Sequence, residues 1–133
     1  MNALTRPRYQ RGFTLIEIMI VVAIIALLAA IGTSNMLRAR KRAQAAKILD
    51  DLRTIDGALD QYAIEFNKSE GAPAEFADLQ PYMKRMNKLS LLGADVFGQA
   101  YGPYSVDFTP KVADFTFSSL SDVAPAEFWS PYK

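Results

Sequence analysis

The most prominent feature in the pattern of polar and apolar positions is an apolar run near the start of the chain. Nineteen residues from Phe13 to Ile31 contain one charged side chain, Glu17. A helix that crosses the hydrocarbon core of a bilayer needs about 20 such residues. A charged side chain in that core costs about 2.5–3.5 kcal/mol on the mildest scales, so Glu17 needs a cationic partner.

Beyond Gly32 the pattern becomes amphipathic. Apolar side chains recur at steps of four and three residues, which predicts one buried stripe along a helix; they are Ile48, Leu52, Ile55, Leu59, Tyr62 and Phe66. Gly71-Ala72-Pro73 then ends the helical pattern. We therefore predict a continuous helix from Phe13 to about Phe66, roughly 80 Å long at 1.5 Å per residue.

The residues after 70 carry eleven of the fifteen aromatic side chains, so a small core is expected there. A short helix is predicted within 74–82. Alternating apolar positions predict two short antiparallel strands that pack on the helical stripe, since an isolated hairpin is marginal in water; these positions are Tyr104, Val106 and Phe108, then Phe115 and Phe117. The aromatic, proline-broken tail 125–132 is predicted to cover this sheet.

Charge and composition exclude several kinds of function. The chain carries fifteen Lys and Arg and fourteen Asp and Glu, and three of the cations precede Phe13, so residues 13–133 have a formal charge of −2. This balance does not suggest a nucleic-acid surface. The chain has neither Cys nor His, which removes disulfides and the commonest catalytic and transition-metal ligands. Asp50 and Asp51 are interpreted as part of a solvated helix face.

The N-terminal pattern alone leaves alternatives open. Three arginines before an apolar run that ends in small residues are also typical of a secretory signal peptide or a plain membrane anchor. A second basic cluster follows the run at Arg38, Arg40, Lys41 and Arg42, so charge alone does not set the membrane orientation. This second cluster is interpreted either as a contact with lipid headgroups or as a solvated helix face.

The segment Gly12-Phe13-Thr14-Leu15-Ile16-Glu17 and the apolar run after it resemble the processing site and N-terminal helix of the type IV pilin and pseudopilin superfamily. The resemblance implies that a prepilin peptidase cuts between Gly12 and Phe13, and that Phe13 becomes the N-methylated first residue. It also implies that Glu17 pairs with the free amine of a neighbouring subunit's first residue during filament assembly, which would supply the missing cation.

The same resemblance implies the fold class and the organisation of the chain. The expected fold is the α+β pilin fold, a long N-terminal helix packed on a small antiparallel β-sheet. The expected parts are a leader (1–12), a transmembrane and assembly half of the helix (13–33), an amphipathic half (34–67) and a C-terminal β domain (68–133). The family commonly has a proline where this chain has Ser34, and any local melting of this helix in a filament is expected at 32–35.

A second, looser resemblance lies in the loop from Asp95 to Tyr101, which is similar to a loop of the major pseudopilins of type II secretion, with Val96 in place of their proline. We interpret this loop as a turn in which Gly98 takes a positive φ and Asp95 binds backbone amides. Major pseudopilins often bind calcium in the C-terminal domain. Oxygen ligands in this chain would come from Asp107, Asp114 and Asp122, with ordinary turn capping as the alternative role.

The resemblance implies a structural filament subunit and not an enzyme. The favoured function is a subunit of the type II secretion pseudopilus, and the alternative is a type IV pilus subunit for adhesion, twitching or DNA uptake. A membrane-anchored binding or enzymatic module is the third hypothesis. Implied partners are further copies of the chain, the prepilin peptidase, an inner-membrane assembly platform, minor pilins or pseudopilins and the lipid bilayer, without nucleic acid. The implied location is the inner membrane with a periplasmic C-terminal domain, then a pseudopilus or an extracellular pilus.

Overall fold

A computed structural model describes residues 12–84 and 88–133, so the predicted leader lies outside the described residues except for Gly12. Helix α1 runs from Leu15 to Phe66, which confirms one continuous helix over the apolar and the amphipathic stretches. The chain forms two compact units, Met1–Leu37 and Arg38–Lys133. Because the second unit begins within α1, the amphipathic half of the helix belongs to the same unit as the C-terminal domain.

In the first unit, the side chains of residues 15–33 and 35–37 are exposed on every face of α1. Large apolar residues such as Leu15, Met19 and Leu27 each expose about two thirds of their surface or more. By length and composition this part of α1 can span a membrane, and none of its apolar window is buried within the chain. Such a surface is stable only in lipid or against other apolar helices.

The second unit adds short elements to the end of α1. They are β1 (Pro73–Ala74), α2 (Phe76–Leu79), α3 (Lys88–Leu92), β2 (Tyr104–Ser105) and α4 (Asp114–Leu120), with 3₁₀ turns at Gln80–Tyr82 and Ala126–Trp129. Strands β1 and β2 are antiparallel, with Pro73 opposite Ser105 and Ala74 opposite Tyr104. The architecture is therefore α+β, as predicted, with a smaller sheet than a hairpin of two longer strands would form.

The predicted stripe on α1 forms one side of the core. Ile48, Leu52 and Ile55 are fully buried, and Leu59 and Tyr62 nearly so. The stripe ends there, because Phe66 exposes 57% of its surface. The same core contains buried residues from the chain after α1, among them Leu79, Leu89, Val106, Leu120 and Trp129. Burying one such aliphatic side chain contributes about 1.5–3 kcal/mol.

The prediction of a second strand at Phe115 and Phe117 is wrong, because both residues lie in helix α4. The apolar alternation there was misleading: the inward positions are Thr116 and Leu120, one helical turn apart, whereas Phe115 remains 56% exposed. Strand β2 instead pairs with β1, and its ladder is extended where the Gly71 amide donates to the Val106 carbonyl at 2.9 Å.

The tail is helical in part and enters the core. Trp129 is fully buried, and its indole Nε1 donates a hydrogen bond to the Ala124 carbonyl at 3.1 Å. The Val112 amide donates to the Tyr132 carbonyl at 2.8 Å, which fastens the last residues to the segment before α4. The short helix predicted within 74–82 is present as α2 and the 3₁₀ turn that follows it.

Candidate functional site: the N-terminal segment and the domain that carries it

Thr14 determines where the N-terminal helix starts. Its side-chain Oγ1 accepts a hydrogen bond from the Glu17 amide at 3.3 Å, and its carbonyl accepts one from the Ile18 amide at 3.4 Å. This is an N-cap, in which a hydroxyl satisfies an amide that has no partner within the helix. Helix α1 therefore begins at Leu15, and Gly12, Phe13 and Thr14 remain outside it.

The N-terminal residues singled out from the sequence are all accessible. Gly12, Phe13 and Glu17 are exposed, and Phe13 leaves 80% of its surface uncovered. A Cβ atom on Gly12 would meet no atom within 4 Å, so packing within this chain does not require a glycine there. Glu17 lies in the first turn of α1, where the helix dipole stabilises a negative charge. These three residues are therefore not packed against the described part of their own chain.

The turn predicted between Asp95 and Tyr101 is confirmed. Oδ1 of Asp95 accepts hydrogen bonds from the amides of Phe97 at 2.8 Å and Gln99 at 2.9 Å, and Gly98 has a φ of 80°. The second oxygen, Oδ2, accepts a hydrogen bond from the Thr116 hydroxyl of α4. Because Asp95 is buried, these bonds compensate its lost hydration and fasten the turn to α4.

Asp51 does not belong to a solvated face, contrary to the expectation from sequence. It is 4% exposed, and its oxygens bind Lys47 Nζ at 2.5 Å and the Tyr101 hydroxyl at 3.2 Å. Burial, together with the nearby charges of Asp51 and Asp95, raises the pKa of Tyr101 well above its usual range. Tyr101 therefore remains a hydrogen-bond donor and ties the turn at 95–101 to α1.

The three candidate calcium ligands are not gathered into a site. Among residues 12–84 and 88–133, no three Asp or Glu side chains lie close enough together to hold a metal ion. Asp122 pairs with Lys41, whose Nζ lies 3.0 and 2.9 Å from its two carboxylate oxygens. This hydrogen bond lowers the pKa of Asp122. Asp107 and Asp114 are exposed, and calcium binding by these three residues stays a prediction.

Comparison with known proteins places these features in a family. The model of the prokaryotic N-terminal methylation motif matches residues 7–33, which include Gly12, Phe13 and Glu17. The type II secretion system core protein G of Escherichia coli K12 is 33% identical over 101 residues, which cover 69% of this chain and 70% of that protein. The chain belongs to this pseudopilin family.

Two further relatives are similar over a shorter length. Core protein G of Klebsiella pneumoniae is 41% identical over 56 residues, covering 42% of this chain and 40% of that protein. The type IV wide pilus major component PilA4 of Thermus thermophilus is 45% identical over 60 residues, covering 45% of this chain and 46% of that protein. The chain thus spans less than half of the length of these two relatives. No solved structure matches it.

Inspection of the sequence missed several residues that build the pseudopilin domain. Lys41, Asp51 and Thr116 each link separate elements, yet none stands in a recognisable motif. One usable signal was the register of Asp51, which comes three residues after Ile48 and four before Ile55 and therefore borders the buried stripe. Tyr101, which binds Asp51, and Asp95, which binds Thr116, lie 50 and 21 residues away from them, beyond the reach of any local pattern.

Proposed function

We propose that this pseudopilin is the main structural subunit of a type II secretion pseudopilus. The observation that carries the proposal is family membership together with the Gly12–Glu17 motif at the start of an exposed apolar helix. The chain would be made as a prepilin and cut between Gly12 and Phe13 by a prepilin peptidase. The same enzyme would then methylate the new amino group of Phe13.

Assembly would proceed through the first half of α1. Its apolar side chains, exposed on all faces in the single chain, would pass from lipid contact to contact with the helices of other copies. The carboxylate of Glu17 would pair with the ammonium of Phe13 in a neighbouring subunit. Both groups lose water in that setting, so each strongly requires the other.

The proposed location follows from the order of the two units. The apolar part of α1 would anchor the chain once in the inner membrane, with residues 38–133 in the periplasm. Its partners would be the peptidase, an inner-membrane assembly platform, minor pseudopilins and further copies of itself. The role is structural, and the proposal assigns no catalytic residue to the chain.

Processing and filament formation test the proposal together. The full chain is co-expressed with a prepilin peptidase and a type II assembly platform, and the mature protein is analysed by mass spectrometry. The expected product begins at N-methylated Phe13, and sheared cells release filaments that contain it. A bulky side chain at position 12, as in Gly12→Leu, should leave the precursor uncut. A mature chain that begins near Ala29 or Ala30 would establish a signal peptide instead and overturn the proposal.

A second function, a subunit of a type IV pilus, is supported by the similarity to the wide-pilus component of Thermus thermophilus. The two functions share the N-terminal chemistry and differ in the machine that assembles the filament. The chain is therefore expressed with either a type II platform or a type IV pilus platform. Filaments formed only with the pilus platform would favour the alternative.

Calcium binding remains a proposal with a separate test. Because Asp122 is already paired with Lys41, calcium would have to displace this lysine or use other oxygen atoms. A ligand that binds only the native state raises the melting temperature by mass action. Addition of millimolar calcium to the full chain in detergent should raise the melting temperature if the site exists. An unchanged melting temperature would contradict calcium binding by this chain.

A further inference from the structure

A groove lies at the C-terminal end of α1, where the buried stripe stops. It has a volume of about 480 Å³ and is lined by Tyr62, Glu65 and Phe66 from α1 and by Asp78 and Tyr82 from the segment after β1. The rings of Tyr62 and Phe66 lie 5.1 Å apart, and the Tyr82 hydroxyl donates a hydrogen bond to Glu65. We call this feature the terminal groove.

The chemistry of the terminal groove suits a positively charged side chain. It contains two carboxylates, and it surrounds the last turn of a 52-residue helix, where the helix dipole is negative. The last turn of α1 has no basic residue of its own. The aromatic faces also attract cations, as Lys68 illustrates with Nζ 5.8 Å from the centre of the Tyr62 ring.

An arginine fits this combination better than a lysine does. Its planar guanidinium group stacks on aromatic rings and donates paired hydrogen bonds to a carboxylate. Phe66, which continues the apolar stripe, leaves 57% of its surface uncovered by its own domain. The terminal groove thus offers one aromatic surface and one carboxylate, Glu65, to the same guanidinium.

The chain carries suitable arginines at the other end of the second unit. Arg38 and Arg42 are exposed and one helical turn apart, so they lie on the same face of α1 and repel each other. Arg40 is exposed as well, but two residues correspond to about 200° of rotation, which places it on the opposite face. The ion pairs of the described residues involve Lys41 and Lys47 and none of these three arginines. Arg38 acts only from a distance, lowering the pKa of Asp122.

The positions of the two features along α1 suit a contact between copies. Glu65 follows Arg42 by 23 residues, or about 35 Å along the helix, too far for contact within one chain. Glu65 follows Arg38 by 27 residues, which correspond to about seven and a half helical turns. Arg38 and Arg42 therefore lie on roughly the opposite face of α1 from Glu65 and the terminal groove. Two different faces that bind each other generate a ring or an open helical assembly and not a closed dimer, and the displacement along the helix direction favours the open assembly.

We infer that Arg38 and Arg42 of one copy dock in the terminal groove of a second copy displaced by about 35 Å along the helix direction. This inference rests on the proposed filament function and names a contact that the N-terminal helices do not supply. In it, the arginines neutralise Glu65 and Asp78, and one guanidinium covers the exposed face of Phe66.

Cysteine cross-linking tests the contact directly, because the natural chain contains no Cys. One tagged full-length copy carries Ala46→Cys, one turn beyond Arg42, and a second copy carries Ala77→Cys, which lines the groove. Both are co-expressed with the peptidase and the platform, and a short bismaleimide is added to membranes and to sheared filaments. The matched control replaces Ala77→Cys by Ser118→Cys, which is exposed on α4.

The expected result is a mixed dimer between the Ala46→Cys copy and the Ala77→Cys copy. This dimer should be at least about tenfold more abundant than the dimer between the Ala46→Cys copy and the Ser118→Cys copy, and a tenfold ratio corresponds to about 1.4 kcal/mol. Filaments without this dimer would overturn the inference and leave the proposed function standing. The dimer in membranes without any filaments would support the contact and argue against the filament function. Absence of both would overturn both.

Charge exchange separates docking from an attraction to lipid headgroups. Arg42→Glu in the copy that carries Ala46→Cys should reduce the 46–77 dimer about tenfold, and Glu65→Arg in the copy that carries Ala77→Cys should restore much of it. Arg40→Glu makes the same change in net charge on the other face and should have little effect. If Arg40→Glu is as damaging as Arg42→Glu and Glu65→Arg gives no rescue, the basic cluster serves anionic lipid and the docking contact is wrong.

Discussion

The two halves of helix α1 differ in what surrounds their apolar side chains. In residues 15–33 and 35–37 the side chains are exposed on every face, and residues 12–84 and 88–133 supply them with no apolar partner. In residues 38–66 one stripe is buried against the rest of the second unit, and the remaining faces carry charges. The backbone is helical in both halves, so the secondary structure alone does not distinguish an assembly surface from a domain core.

The two halves are therefore stabilised by different contacts. The second half is stabilised by burial within its own chain, about 1.5–3 kcal/mol for each fully buried aliphatic side chain. The first half is stabilised only by what surrounds the molecule, whether lipid or other helices. Changes in the first half should therefore alter assembly and spare domain stability, and core changes in the second half should do the reverse. The following variants test this division, beginning with the largest expected effect.

The largest effect should come from Glu17→Gln in the first half. A neutral amide cannot balance the ammonium of a neighbouring Phe13, so filaments should be nearly lost while membrane insertion and the melting temperature of the domain stay unchanged. Differently tagged wild-type and variant chains are co-expressed, and the sheared filaments are assayed for each tag. Glu127→Gln, an exposed acid in the second unit, is the control and should assemble normally.

The rival explanation is that Glu17 pairs with the amine of its own chain at Phe13, four residues earlier. Efficient entry of the Glu17→Gln subunit at every ratio, and assembly of the variant alone, would exclude the contact between subunits. The role of the carboxylate would then lie elsewhere, for example in recognition by the peptidase.

The next effect should come from Leu52→Ala in the second half. Leu52 is fully buried in the middle of the stripe, and such truncations cost about 2–5 kcal/mol. Thermal unfolding of the full chain in detergent should show a marked fall in melting temperature. Leu28→Ala makes the same chemical change at a residue that is 64% exposed, and it should leave domain unfolding nearly unchanged. Equal losses from both variants would contradict the division of the helix.

A smaller effect is expected from Tyr101→Phe, which tests the polar link between α1 and the turn at 95–101. The change removes the hydrogen bond to Asp51 and leaves a buried carboxylate oxygen with one donor fewer, at a cost of about 1–3 kcal/mol. Chemical denaturation of the full chain measures it. Tyr82→Phe also removes a hydrogen bond to a carboxylate, at an exposed Glu65, and should cost less. A loss from Tyr82→Phe as large as that from Tyr101→Phe would show that burial of the acceptor is unimportant.

How much of this molecule could be predicted from its sequence depends on the range of the interactions. The apolar run and the stripe from Ile48 to Tyr62 are periodic, so the helix and one face of the core were predictable. The turn at Asp95 was predictable as well, because its bonds reach only two and four residues along the chain. The roles of Gly12, Phe13 and Glu17 remain predictions, since they concern an enzyme and neighbouring subunits.

What could not be predicted depends on distant residues. Phe115 and Phe117 alternate like a strand, yet they lie in α4, whose Thr116 binds Asp95, 21 residues earlier, and whose Leu120 is buried in the core. The burial of Asp51 depends in the same way on Tyr101, 50 residues later. Short apolar patterns are ambiguous between helix and strand until such contacts are known.

The smallest predicted effect concerns Asp56, in the charged part of the second half. Partial burial raises its pKa, the nearby charge of Asp60 raises it further, and the hydrogen bond from the Tyr132 hydroxyl at 3.2 Å opposes both. Because the folded state holds this proton more tightly than the unfolded state does, ionised Asp56 reduces stability above its folded pKa, and that penalty disappears as the pH falls. Asp56→Asn should therefore be slightly more stable than the natural chain at pH 7, and the difference should vanish toward about pH 4. Denaturation curves at several pH values measure this difference.

Asp60→Asn, which removes only the repulsion, should show a smaller gain with the same sign. An Asp56→Asn variant that is less stable at pH 7 would show that the bond from Tyr132 outweighs the cost of burial, and that the charged face of the second half contributes to the stability of its domain.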